Sequence, residues 1–146
     1  MHRVYLSLGT NLGNRKRNIR EAVESIEELI GVVICQSALY ETKPWGFSSP
    51  NDFINACICV DTVLAPRQLL EATQRIERDM GRTIKSADGG YHDRIIDIDI
   101  LLYDDLCIDE SDLKIPHPLM EERDFVMVPL QEIMDYHSTV HCSRNQ

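Results

Sequence analysis

An α+β sandwich is the fold class that this sequence predicts, and three observations predict it. Apolar residues recur at period two in some stretches and at three- and four-residue spacing in others, in the order strand, helix, strand, strand, helix, strand. Glycine, proline and asparagine punctuate the boundaries between them. The longest apolar runs fall far short of the about 18 residues of a membrane-spanning helix.

Val4, Leu6 and Leu8 alternate with Arg3, Tyr5 and Ser7 and lead into "GTNLGN", a strand entering a glycine-containing turn. A helix follows, with Ile19, Ala22, Val23, Ile26, Leu29 and Ile30 at helical spacing, Asn14 as N-cap and Gly31 as stop. "VVICQSALYET" reads as a second strand and "FINACICVDT" as a third. In the third, Ile54, Ala56, Ile58 and Val60 share one face while Phe53 and Asn55 point the other way. Between them "KPWGFSSPND" is too long for a tight turn and marks a functional loop. "PRQLLEATQRIERDM" is the second helix, with Pro66 in its first turn and Gly81 as its stop. "RTIKSADGGYHD" has no period and is expected to be a long mobile loop before the strand "RIIDIDILLY". A short strand, the turn "IPHPLMEERDF" and a last helical stretch complete the chain. Residues 1–146 are expected to form one domain, a ferredoxin-like antiparallel sheet with helices packed on one face and long active-site loops.

Charge narrows the function. Lys+Arg 15 against Asp+Glu 24 gives a net charge of -9, which opposes non-specific attraction to nucleic acid or an anionic membrane. A polyanionic ligand would therefore need a local basic cluster or bound cations. The start "MHRVYLSLG" lacks the apolar core of a signal peptide, and five cysteines without framework spacing suit reduced thiols, so a cytoplasmic location is expected. Cys57 and Cys59 have no answering pair and read as strand packing. His137 and His141 lack the glutamate of a zinc helix and read as an ordinary tail.

The stretch "DRIIDIDILLYDD" poses the chemical question, because Asp97 and Asp99 interrupt an otherwise apolar strand. Alternation sends Ile96, Ile98, Ile100 and Leu102 into the core and places Asp97, Asp99 and Leu101 on the opposite face. Their Cα atoms lie about 6.6 Å apart at ~3.3 Å rise per residue, so the carboxylates repel unless protons or cations intervene. Mg²⁺ suits such a pair, since it typically takes one or two protein carboxylates and completes its shell with phosphate oxygens and water. Arg94 precedes the pair by three positions, and Arg82 and Lys85 lie across the loop, an arrangement fit for phosphoryl transfer. "GTNLGNRK" lacks the spacing and ending of a Walker A loop and reads as structural.

These stretches resemble the 6-hydroxymethyl-7,8-dihydropterin pyrophosphokinase family of folate biosynthesis. The resemblance rests on "YLSLGTNLGN", "YETKPWG", "DFINACI", "QRIERDMGR", "RIIDIDILLY" and "IPHPLMEERDFVMVPLQEI", in the family's order and covering nearly the whole chain. It implies transfer of pyrophosphate from ATP, with two Mg²⁺, to the pterin's hydroxymethyl oxygen, releasing AMP. Carried over by motif, Asp97 and Asp99 bind both metals, and Arg82 and Arg94 hold the phosphates. Gln74, Glu77, Arg94, Ile100, His117 and Arg123 lie beside the nucleotide. Phe53 and Phe125 sandwich the pterin, Asn55 bonds its edge, and Thr42, Pro44 and Trp45 line the pocket. Other folate-pathway enzymes are the implied partners. The chain departs from the family in "YHDR", where Tyr91 stands for a tryptophan, in Phe53 for a tyrosine, and in Pro118 beside His117, where an aromatic is common. A ligand-sensing module and a nucleotidyltransferase are the competing readings; the two long loops argue against the first, and product analysis separates the second.

Overall fold

The computed structural model describes residues 1–44, 49–81 and 95–144, with side chains to residue 134. Its elements are β1 (His2–Thr10), α1 (Arg15–Leu29), β2 (Gly31–Gln36), β3 (Tyr40–Thr42), β4 (Phe53–Thr62), α2 (Pro66–Asp79), β5 (Asp97–Tyr103), β6 (Ile108–Glu110), β7 (Leu113–Ile115) and α3 (Asp124–Arg144). The main sheet runs β2-β4-β1-β5, every neighbouring pair antiparallel, with β3 also on β4. This is the ferredoxin-like order expected, with β1 inserted between the strands that flank α2.

The helix signals hold locally. Asn14 accepts from the Arg17 amide at 3.1 Å, which satisfies one of the amides that open α1. Pro66 sits at the start of α2, where a missing N–H costs nothing, and Gly81 follows its end at φ +113. Gly31 does not act as a helix stop: it is the first residue of β2, where an added Cβ would meet the Asp61 carbonyl oxygen at 2.0 Å.

Ile19, Ala22 and Ile26 of α1 and Leu69 and Ile76 of α2 pack with Val4, Leu6, Leu8, Ile58, Ile98 and Ile100 on one sheet face. The other face is not bare. Val126, Leu130 and Ile133 of α3 pack on Cys57, Cys59 and Leu101, and burying each of these three α3 side chains contributes about 1.5–3 kcal/mol, enough to dock the helix. The helices therefore lie on both faces of the sheet and not on one, because α3 carries its own apolar stripe.

Two strand expectations change. "VVICQSALYET" is two strands, β2 and β3, separated at residues 37–39. In β5 the register slips between Tyr5 and Leu6 of β1, so Leu102 faces Tyr5 under α3 and Tyr103 takes the place in the main core. A bulge reverses the facing of every later residue in its strand, and simple alternation cannot anticipate it. No helix among the described residues is long and apolar enough to cross a membrane.

Candidate active site

α3 covers only part of its sheet face, beginning at Asp124. Beyond it, the strand ends carry a row of three residues in mutual register: Asn55 on β4, Gly9 on β1 and Asp97 on β5. The next row is Cys57, Ser7 and Asp99. With ~4.8 Å between neighbouring strands, Asn55 and Asp97 stand about 9.6 Å apart across the glycine. Both aspartates are half-buried, on the side away from the main core, as their spacing predicts.

Gly9 is the floor of this row. A Cβ there would lie 3.1 Å from Asn55 Oδ1 and 3.7 Å from the Phe53 ring, so the glycine lets the amide and the ring edge approach the buried backbone beside Asp97. Gly9, expected in the turn after the first strand, is instead inside β1, on the face of Tyr5 and Ser7. β3 builds the adjoining wall. Thr42 pairs with Phe53, and the Asn55 Nδ2 donates to Thr42 Oγ1 at 2.5 Å, turning the amide oxygen toward the glycine. Pro44 follows, half-buried, and Phe125 is half-buried in the first turn of α3 with the Arg123 guanidinium 5.6 Å from its ring centre.

A second concavity lies along the outer edge of β5. It encloses about 270 Å³ and is lined by Leu70 of α2, by Ile98, Asp99 and Ile100 of β5, by residues 111–114 of the β6–β7 hairpin, and by His117 and Pro118. Asp99 thus belongs to both the acidic row and this cleft. Arg67 of α2 ties the hairpin down through Glu110 and Asp112, and Lys114 donates to Asp109 at 2.5 Å. The amide of Leu119 donates to His117 Nδ1 at 3.2 Å, an arrangement open only to the neutral ring with its proton on Nε2. Burial lowers the His117 pKa, as does the Arg123 cation, against the opposing pull of Asp97.

Of the residues placed beside the nucleotide, Ile100 and His117 line this cleft. Gln74 is exposed on α2, and Arg123 is buried ahead of α3. Glu77 is also buried, and its Oε2 accepts from the Ile98 amide at 2.9 Å, which fixes the backbone between the two aspartates. Trp45, Arg82, Lys85, Tyr91 and Arg94, and with them the proposed loop, lie outside the described residues. Leu70, Ser111, Leu113 and Lys114 were not anticipated; the polar "ESD" turn between two short strands was their one signal in the sequence.

Among the described residues no group of three or more His, Cys, Asp or Glu converges to hold a metal ion. Two carboxylates on one strand face nevertheless fit a hard cation that takes its other ligands from phosphate and water. Fold and site together define a class: an α+β transferase whose acidic strand pair stands between a flat aromatic pocket and a cleft at a strand edge.

Comparison with known proteins gives the class its family. The family model "7,8-dihydro-6-hydroxymethylpterin-pyrophosphokinase" matches residues 5–135. A 2-amino-4-hydroxy-6-hydroxymethyldihydropteridine pyrophosphokinase of Porphyromonas gingivalis is 47% identical over 131 residues, 89% of each chain. The Aquifex aeolicus protein of the same name is 42% identical over 133 residues, 91% of this chain and 81% of the other. A Plasmodium falciparum HPPK-DHPS crystal structure shares the fold, with TM-score 0.69 and 19% identity over 88% of this chain; the match spans 40% of that longer chain. The chain belongs to the 7,8-dihydro-6-hydroxymethylpterin-pyrophosphokinase family. It is a pyrophosphokinase of folate biosynthesis with ATP as co-substrate.

Proposed function

We propose that the row Asn55–Gly9–Asp97 sets the reaction geometry: the pterin lies over Gly9, and its hydroxymethyl arm points at the acidic pair. This one row carries the reading, because its register puts an amide and a carboxylate on the same sheet face with a glycine between them and the Phe53 ring beside it. The Asn55 oxygen, already turned by Thr42, accepts from the donor edge of the ring. Phe53 stacks on one ring face and Phe125 on the other, while Pro44 and Trp45 close the pocket. Tyr91 contributes from the following loop.

The nucleotide occupies the cleft at the β5 edge, with its base against Ile98, Ile100 and Leu70 and its phosphates directed to Asp99. Gln74, Glu77, His117 and Arg123 surround it. Asp97 and Asp99 hold two Mg²⁺, which when bound neutralise phosphate charge and leave the β-phosphorus open to attack. Arg82 and Arg94 hold the phosphates as charge shifts toward the leaving AMP. The hydroxymethyl oxygen forms a bond to the β-phosphorus, the bond from that phosphorus to the α-bridging oxygen breaks, and the hydroxyl proton is released. The protein works in the cytoplasm, and the longer HPPK-DHPS chain with the same fold supports association with another folate-pathway enzyme.

The test is product analysis with ATP, Mg²⁺ and 6-hydroxymethyl-7,8-dihydropterin. AMP and pterin diphosphate in equal amounts are expected. Free pyrophosphate with a nucleotidylated product would instead show a nucleotidyltransferase, and no nucleotide turnover would leave only a ligand-sensing module.

A further inference from the structure

Glu132 lies on α3, exposed and apart from every residue placed in the pocket, yet both of its carboxylate oxygens are engaged by the segment that leads into β3. Oε2 accepts from the Ala38 amide at 2.9 Å, and Oε1 accepts from the Tyr40 hydroxyl. The Tyr40 hydroxyl pKa is raised, first through this bond, which keeps the group a donor.

β3 needs such a tether. It has three residues and sits on the edge of β4, paired through Tyr40 with Asn55, Glu41 with Ile54 and Thr42 with Phe53. So short a strand gains little from its own ladder, and its position depends on what holds its ends. At its middle residue Arg15 donates to Glu41 at 3.1 Å. At the near end Ser37 is bonded to Cys57, and Glu132 takes the Ala38 amide and the Tyr40 hydroxyl. What β3 delivers is Thr42 Oγ1, the acceptor that orients the Asn55 amide.

We propose that Glu132 is a positioning residue for pterin recognition: it holds β3 against α3 so that Thr42 keeps the Asn55 oxygen turned toward the Gly9 floor. This rests on the pterin lying over Gly9, as proposed above. α3 thereby serves the flat pocket from behind, through a residue that never touches the ligand.

The experiment uses the full chain and steady-state kinetics with each substrate varied, with calorimetry of pterin binding in the presence of an unreactive ATP analogue. Glu132→Ala should raise the pterin KM and Kd roughly tenfold, the scale of losing two hydrogen bonds, while the ATP KM and the turnover at saturating pterin stay within about twofold of wild type. Tyr40→Phe, which keeps the ring and removes one bond, should give a smaller loss of the same kind. In the double variant of Glu132→Ala with Thr42→Val the pterin losses should not add, because both act through one amide. An unchanged pterin constant in Glu132→Ala, a parallel loss for ATP, or additive losses would each overturn the inference. Failure of the wild-type chain to bind pterin would sink the pocket reading instead, so the two failures are distinguishable.

Discussion

The two sides of the site are built by different means. The flat pocket is made inside the sheet: β1, β3 and β4 set Gly9, Asn55, Thr42 and Phe53 by ladder register, and Asn55 is only 3% exposed. The edge cleft is made outside it, by a hairpin whose strands pair with each other, whose Leu113 and Ile115 are seated in the core, and whose exposed turn is tied to α2 by ion pairs. Ladder bonds and packing fix positions closely, whereas exposed ion pairs are weak and screened by salt. A rigid fused ring calls for the first construction; a triphosphate with many rotatable bonds tolerates the second. Between them stands β5, braced by Glu77 at its outer edge and by β1 at its inner edge.

Removing what the two sides share should have the largest effect. Asp97→Asn or Asp99→Asn should lower turnover by roughly 10²–10³-fold, the scale of losing one electrostatic contact to a transition state, with an unchanged melting temperature. Turnover near wild type at limiting Mg²⁺ in either variant would detach the acidic pair from the chemistry.

Gly9→Ala attacks the rigid side alone. The new methyl group sits 3.1 Å from Asn55 Oδ1 and must push the amide aside, which misplaces one ring hydrogen bond, so pterin affinity should fall by roughly tenfold while nucleotide affinity holds. If isothermal titration shows both ligands weakened alike, the floor is not specific to the ring. Phe53→Ala should cost a similar or smaller amount, about 1–3 kcal/mol of pterin affinity, if stacking on its ring resembles base stacking on aromatics.

His117 sharpens the comparison through pH. Its folded pKa is depressed below the ordinary 6.5, so its contribution to stability is present above that pH and lost as pH falls through the folded value. The melting temperature of wild type should therefore fall relative to His117→Gln between pH 7 and pH 5. A constant difference across that range would show that the ring does not titrate in this way. The smallest effect is expected at Arg67→Ala, which removes the ion pairs between α2 and the hairpin and leaves its core packing: the ATP KM should rise less than roughly threefold, and the difference should shrink in high salt. A change in the pterin constant instead would mean that the two sides are coupled.

Much of this was written locally in the chain. Alternation alone put Phe53, Asn55, Asp97 and Asp99 on the faces they occupy, because a strand's side-chain period is two wherever it pairs. Asn14, Pro66 and Gly81 marked helix ends because capping depends on residues within one turn. Tertiary contacts decided the rest. The bulge that turns Leu102 away from the main core depends on the pairing of β5 with a strand more than 90 residues earlier. Nothing near Asp124 shows that α3 covers the second sheet face. Glu132 looks like an ordinary helix-surface residue until the fold brings Ala38 and Tyr40 to it across separations of 94 and 92 residues. Local periodicity encodes which way a side chain points; which residues it then meets depends on the register and layering of distant segments, and those are settled only when the whole core packs.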